Sequence, residues 1–258
     1  MQDWNAELYM KFEEERTRAA RDLLSRVPDF GPKSIVDLGC GPGNSTLLLR
    51  GRFPAAAILG IDKSSNMLSV ARQRIPSAKF INEDIAQWRP QTPPEFLFAN
   101  ATLHFVPDHY ALIQRLVSML APGGIIAAQM PNSTHQASHA LMRMISAEGP
   151  WADRLLPIAK TRPPIGPADE YYRLLTPLCA SVDIWETSYV HPVAGPEQIV
   201  EWFEGAELRP FLDPLREEES ATFLSRYREE LEASYDRQPD GRLLLHYPRL
   251  FFVARTKD

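Results

Sequence analysis

An α/β fold with a doubly wound, mostly parallel sheet is what this sequence predicts, on three observations. Five short apolar runs of strand type alternate with helical patterns between residues 33 and 131, the rhythm of βαβ units. The first run, Ser34-Ile35-Val36-Asp37-Leu38, ends in Gly39-Cys40-Gly41-Pro42-Gly43 and is followed by the helical stretch Ser45 to Arg50. Strand, glycine turn and helix in that order bring backbone N–H groups and the positive end of a helix dipole to the carboxyl edge of a sheet, where α/β folds bind nucleotide-like ligands. Finally, 258 residues with 44% apolar and 24% charged side chains can bury one large core with insertions, or two smaller ones.

Ahead of the sheet, Leu8, Phe12, Ala19, Leu23 and Leu24 keep helical spacing until Pro28, which predicts one or two amphipathic helices over residues 4–27. Trp4 and Tyr9 in this segment either anchor it on the core or fold over the mouth of a ligand site. After the glycine turn comes Ala57-Ile58-Leu59-Gly60-Ile61-Asp62, a buried-type strand ending in an acid. Asp62 follows Gly39 by about 20 residues, close to the spacing at which an acid accepts from ribose hydroxyls. Ser64-Ser65 cap a helix from Asn66 to Arg74, stopped by Pro76. A third strand, Lys79 to Asn82, leads to Asp84 and Ile85. Asp84 either forms a turn or accepts from an adenine amino group with Ile85 as its apolar cover. Strand Phe96 to Asn100 precedes Leu103-His104-Phe105, and a helix from His109 to Leu120 ends at Ala121-Pro122-Gly123-Gly124 before strand Ile125 to Pro131.

Beyond Pro131 the period changes. Helices broken by Gly149-Pro150, Pro157 and the run from Arg162 to Pro167 fill residues 134–178, too long for a simple crossover. A strand over 182–193, a helical block over 196–235, and the stretch Arg242 to Ala254, either a strand pair or one bent strand, follow in turn.

Net charge is −5, from 28 basic and 33 acidic residues spread along the chain, so no electrostatic footprint for nucleic acid or an anionic membrane is visible. No apolar run approaches the roughly 20 residues of a membrane span. Residues 1–15 carry charges and no apolar signal core, and a cytoplasmic protein is expected. The two cysteines, Cys40 and Cys179, have neither a disulfide-framework nor a metal-ligand spacing, and Cys40 reads as a small apolar filler. Counted from Gly39, the dinucleotide pattern G-x-G-x-x-G meets Asn44 at its sixth position. With no Tyr-x-x-x-Lys pair in the core either, a nicotinamide-dependent oxidoreductase is disfavoured.

Asp37 to Gly43, Asp62, Asp84, Asn100 and Leu120 to Gly124 stand in the order and spacing of the motifs of class I S-adenosylmethionine-dependent methyltransferases, and residues 31–131 resemble that superfamily. A narrower resemblance spans nearly the whole chain. Trp4-Asn5, Leu8-Tyr9, Phe12 to Arg18, Tyr171 to Leu175, Val182 to Thr187, Leu208 to Leu212, Gly241-Arg242 and Pro248 to Phe251 are similar to the trans-aconitate methyltransferases. Phe105 departs from the pattern, since relatives often carry tryptophan there, and that bears on pocket shape rather than on the reaction.

The resemblance implies a Rossmann-like, seven-stranded sheet with helical insertions forming a substrate cap. Residues 1–30 would be an N-terminal helical lid, 31–131 the cofactor-binding core, and 132–258 the cap insertions plus the last strands. It implies S-adenosyl-L-methionine as cofactor and S-adenosyl-L-homocysteine as product. Asp37, Gly39, Gly41 and Gly43 would receive the methionine part, Asp62 the ribose and Asp84 with Ile85 the adenine, while Asn100 lies near the sulfonium and Lys63 and Met67 complete the set. The implied reaction is methyl transfer to a carboxylate of trans-aconitate, giving a monomethyl ester; another small carboxylate or hydroxyl acceptor is the alternative.

A carboxylate with a pKa near ~4 is ionised at neutral pH and needs no general base. Alignment and desolvation are therefore the expected catalytic work, with no catalytic residue assigned. His104 either bonds a substrate carboxylate, serves as base for another acceptor, or is satisfied by nearby backbone. A tricarboxylate also calls for arginine forks. Arg162, Arg173 and Arg209, together with Tyr171 or Tyr172, are the substrate-binding candidates along with Trp4 and Tyr9, and Arg242 and Arg249 flank the closing strand. The expected partner is a small tricarboxylate, with no nucleic acid, no membrane and no metal, acting on a monomer or weak homodimer.

Overall fold

A computed structural model describes residues 10–161, 165–205 and 207–258. Trp4, Tyr9 and Arg162, three of the substrate-binding candidates, lie outside the described residues.

The elements follow as α1 (Glu13–Arg26), β1 (Ser34–Leu38), α2 (Asn44–Arg52), β2 (Ala57–Asp62), α3 (Ser65–Arg74), β3 (Lys79–Asn82) and β4 (Phe96–Asn100). After a 3-10 turn (Leu103–Phe105) come α4 (His109–Ser118), β5 (Ile125–Pro131), α5 (Ala137–Glu148), α6 (Ala152–Thr161), α7 (Ala168–Leu175) and β6 (Cys179–Val193). The series closes with α8 (Pro196–Glu204), α9 (Arg209–Leu212), α10 (Glu217–Ser234) and β7 (Leu243–Thr256).

These strands form one seven-stranded sheet in the order β3-β2-β1-β4-β5-β7-β6, the α/β, Rossmann-like architecture expected. The pairs β1–β2, β1–β4, β2–β3 and β4–β5 are parallel. At β7 the direction reverses, because Thr256 N–H donates to the Gly124 carbonyl while Asn132 N–H donates to that of Pro248. The order inverts beside β1, between β2 and β4, and such a switch point opens a crevice at the carboxyl ends of the strands.

Parallel strands covered on both faces read as continuous apolar runs, and Phe96, Leu97, Phe98 and Ala99 of β4 are all fully buried. Phe30, Phe53, Phe96 and Phe98 meet edge to face at 5.7–6.1 Å, contacts worth roughly 0.5–1.5 kcal/mol each beyond their burial. Ser64 and Asp108 cap α3 and α4 by accepting from the N–H groups of Met67 and Ala111, as short polar side chains do at helix starts. Helix α4 ends at Ser118 rather than Leu120, since the Met119 and Leu120 N–H groups turn back to Leu116 and Val117 in i→i+3 bonds. The C-terminal stretch is a single strand with a continuous apolar run, Leu250 to Ala254, fully or nearly buried.

The chain divides into two compact units. One comprises Gln2–Pro131, Gly166–Thr187 and Leu250–Asp258, the other Asn132–Ile165 and Ser188–Arg249. In the second unit, Trp151 packs on Phe223 at 5.5 Å and its indole N–H donates to the Ile145 carbonyl. The buried Tyr227 hydroxyl donates to the Ser138 carbonyl at 3.1 Å, so α5 and α10 share a hydrogen-bonded apolar core.

Candidate active site

The site begins with a buried acid. Asp37 ends 0% exposed on β1, and its Oδ2 accepts from the Ser45 hydroxyl at 2.7 Å and the Thr46 hydroxyl at 2.6 Å. Its Oδ1 is buried with no hydrogen-bond partner among the described residues. Burial pushes the carboxyl from 3.8 up to about 7, against the two hydroxyl bonds that favour the ionised form, and the nearby Asp62 charge adds to the rise.

The following turn has positive φ at Gly39, Gly41 and Gly43, 65°, 55° and 94°. At Gly39 backbone sign and space coincide, because a Cβ there would lie 2.0 Å from Oγ1 of Thr102. Only glycine lets the turn and the loop after β4 touch. At Gly41, by contrast, a Cβ would meet nothing within 4 Å, so the backbone there borders open space. Cys40 is buried, its sulfur 2.9 Å from where a Gly60 Cβ would be. Burial, helped by Asp37 and Asp62, holds its thiol protonated, an inert filler rather than a nucleophile.

Asp62, at the end of β2, accepts from Gly41 N–H at 2.9 Å on Oδ2 and from Ser64 N–H at 2.8 Å on Oδ1. The acid thus braces the glycine turn against the start of α3; a carboxylate offers about four lone-pair sites, and these bonds take one on each oxygen. Lys63 beside it is exposed and Met67 is buried.

Asp84 is exposed and forms a turn, its Oδ1 accepting from Ala86 N–H at 2.8 Å and its carbonyl from Gln87 and Trp88 at 2.9 Å. Ile85 is buried beside it. This turn is clamped by a residue that sequence reasoning missed. Arg115 on α4 donates to the carbonyls of Ile85, Ala86 and Trp88 at 2.8–3.1 Å.

At the end of β4, Asn100 Oδ1 accepts from the fully buried Gln129 at 2.6 Å. Ala101 follows with φ 52°, the one non-glycine positive φ among the described residues, and its N–H donates to the Gln129 carbonyl. That left-handed residue turns the chain so that Thr102 reaches Gly39. His104 lies in the 3-10 turn, half-buried, its ring 4.1 Å from that of Phe105.

Around Asn44, Arg74 makes a second unforeseen clamp. Its Nη1 donates to Asn44 Oδ1 at 2.6 Å and to the Pro42 carbonyl at 3.2 Å, while Nη2 reaches Glu13 of α1 at 2.5 Å. Neither Arg74 nor Arg115 announces itself in sequence, because each grips segments about 30 residues away or more.

The substrate candidates are placed less coherently. Tyr171 is 0% exposed and its hydroxyl is 2.7 Å from Nε2 of the buried His109. It stacks with Tyr110 and Phe252 at 5.1 and 6.2 Å. Tyr172 and Arg173, on the same helix, face solvent. Arg209 is half-buried on α9 and belongs to the other compact unit. Arg242 is exposed beside Asp240. Arg249 is buried, its guanidinium 4.7 Å from the Tyr247 ring and 5.9 Å from that of Tyr189.

The turn, the braced acid at the end of β2 and the amide at the end of β4 thus occupy one compact unit at the carboxyl edge of parallel strands. A nucleoside bearing an amino-acid tail fits its donor set: an acid at ribose spacing, open space over Gly41, and a buried acceptor on Asp37 suited to an ammonium group.

A family model described as a methyltransferase domain matches residues 12–170. A trans-aconitate 2-methyltransferase of Methylobacterium nodulans is 52% identical over 99% of this chain and 99% of its own length. Those of Paracidovorax citrulli and Yersinia pestis are 49% and 47% identical, over 99% and 100% of both chains. Among solved structures, the YcgJ protein from Bacillus subtilis superposes with a TM-score of 0.60 at 12% identity, over 93% of this chain and 99% of its own. Phosphoethanolamine N-methyltransferase 2 of Haemonchus contortus, in complex with S-adenosyl-L-methionine, gives 0.55 at 15% identity, over 93% and 53%. These two likenesses concern the fold.

Proposed function

The chain belongs to the trans-aconitate 2-methyltransferase family of S-adenosylmethionine-dependent enzymes, and we infer that it moves a methyl group from that cofactor to a carboxylate of trans-aconitate, forming the monomethyl ester. The observation that carries this reading is an overall identity near one half in matches that span 99% of the chain, and not the cofactor turn alone.

S-adenosyl-L-methionine, when bound, supplies an electrophilic methyl group on a cationic sulfur. In this reading the backbone of Gly39, Gly41 and Gly43 and the carboxyl of Asp37 receive its amino-acid end. Asp62, with Lys63 and Met67, takes the ribose side, Asp84 and Ile85 the adenine, and Asn100 lies toward the sulfur. Gln129 donates to the Asn100 amide oxygen and so orients that amide.

The acceptor carboxylate arrives ionised, so the chain has no proton to remove. Cation and anion neutralise each other as the methyl passes, and a dry site therefore favours the transition state over the separated, hydrated charges. What the protein supplies is in-line placement and exclusion of water. Among the described residues, two or three of Arg173, Arg209, Arg242 and Arg249, with Tyr171 or Tyr172, are assigned to the spare carboxylates, and His104 to bonding the acceptor. The same reading keeps the enzyme in the cytoplasm as a monomer or weak homodimer; no helix of the described residues is long and apolar enough to cross a membrane.

The test is transfer of labelled methyl from the cofactor to trans-aconitate, cis-aconitate, isocitrate and citrate offered separately. Preference for trans-aconitate is expected, and robust labelling of another acceptor with none of trans-aconitate would shift the reading to the alternative carboxylate or hydroxyl substrate.

A further inference from the structure

Two planar peptide units stretch between Asp84 and Arg115. In the first, the Ala86 N–H donates to Oδ1 of Asp84 at 2.8 Å while the Ile85 carbonyl accepts from Nη2 of Arg115 at 3.1 Å. In the second, the Gln87 N–H donates to the Asp84 carbonyl at 2.9 Å while the Ala86 carbonyl accepts from the same Nη2 at 2.8 Å. A trans peptide points its N–H and C=O in opposite directions, so each unit is gripped at both ends, by the acid on one side and by α4 on the other. Nη1 adds the Trp88 carbonyl at 3.0 Å. Arg89 also reaches the Gln87 and Trp88 carbonyls, at 3.0 and 2.8 Å, but it grips its own segment, whereas Arg115 fixes the turn to a separate helix.

The same planarity sets the outer side of the turn. Because the Asp84 carbonyl is directed inward to Gln87 and Trp88, the Ile85 N–H points out of the turn. The exposed Asp84 carboxylate and that N–H offer an acceptor and a donor from successive residues, the complement of the amino group and neighbouring ring nitrogen of adenine.

We propose that Arg115 is a positioning residue for the base: by holding the two peptide units it sets the direction of the Asp84 carboxylate and the Ile85 N–H, and so the preference of the site for adenine over a base with a carbonyl at the same ring position. This rests on the cofactor reading made above, which assigns the base to Asp84 and Ile85 and gives Arg115 no part in choosing it.

The full-length protein, Arg115→Met and Arg115→Lys are titrated by calorimetry with S-adenosylhomocysteine and with S-inosylhomocysteine, in which a carbonyl oxygen replaces the amino group and the adjacent ring nitrogen carries hydrogen. The unaltered protein is expected to prefer the first ligand by about a hundredfold or more, since the second sets acceptor against acceptor and donor against donor. Methionine keeps an apolar stem and removes every donor, so Arg115→Met is expected to weaken S-adenosylhomocysteine about tenfold and to leave S-inosylhomocysteine within about twofold. Lysine brings one ammonium in place of a planar fork and cannot span the three carbonyls, and Arg115→Lys is expected to fall between the other two proteins. A parallel loss for both ligands, as a purely structural clamp would give, or an unchanged preference in Arg115→Met, overturns the proposal. Binding of neither ligand by the unaltered protein, or of both equally, removes the cofactor assignment and the proposal with it.

Discussion

Asp37, assigned above to the cofactor's amino-acid end, carries a cost for the fold. Its carboxyl ionises near 7 in the folded chain and at 3.8 when exposed. Below about pH 4 both states hold the proton. As pH rises toward 7 the unfolded chain releases it and the folded chain does not, so stability falls across that window and levels off above it. Asp37→Asn abolishes this slope. Denaturant unfolding at pH 5 and pH 8 is expected to show the parent losing about 2–3 kcal/mol more than the variant between the two; equal losses would place the titration elsewhere. Asp62→Ala removes the acceptor of the Gly41 and Ser64 N–H groups along with the ribose ligand of the proposed site, and S-adenosylhomocysteine affinity is expected to drop at least about tenfold. Unchanged affinity would contradict that assignment. At this scale the sequence was legible where geometry depends on short spacing: the glycine turn and the acid that braces it, Asp62, stand at strand ends. The burial of Tyr171 was not legible, because which face of α7 is buried depends on His109, about 60 residues earlier, and no local pattern carries that.

At the scale of elements, the connections between strands hold the site together more than the strands do. The bend after β4 depends on Ala101 in a left-handed conformation, which costs an L-residue roughly 1–2 kcal/mol. Ala101→Gly is therefore expected to stabilise the protein by up to about 1 kcal/mol, less than the full strain because glycine gains freedom when unfolded. A lower melting temperature for this variant would show that the methyl group packs well enough to outweigh the strain. The turn at Asp84 is held by Arg115 through three carbonyls. Arg115→Met is expected to speed amide exchange over residues 84–88 selectively and to destabilise by about 1–3 kcal/mol; uniform exchange throughout the chain would argue against a local clamp. The start of α3 was readable from Ser64 as a cap, whereas the end of α4 was not, since its last turn tightens through backbone bonds that any residue makes.

For the whole molecule, the parallel half of the sheet was legible because buried strands leave apolar runs and crossover helices leave a different period. The unit made of Asn132–Ile165 and Ser188–Arg249 was legible only as a change of period after Pro131. Its core is assembled from pairs distant in sequence, such as Trp151 with Phe223 and Tyr227 with Ser138, and substrate recognition is assigned largely to such residues. That asymmetry is physical: a cofactor turn needs a few residues at fixed spacing, while a carboxylate pocket is satisfied by any arginines that converge in space. If Arg209 and Arg249 hold spare carboxylates, Arg209→Lys and Arg249→Lys raise the KM for trans-aconitate about tenfold or more, since lysine cannot form the fork, with S-adenosylhomocysteine affinity unchanged. The group that receives the methyl decides what this enzyme makes. Incubation with methyl-labelled cofactor and trans-aconitate, followed by mass analysis before and after mild alkali, should give a single monomethyl ester whose label is released as methanol. Label that survives alkali, or that resides in any product other than a trans-aconitate ester, would contradict it.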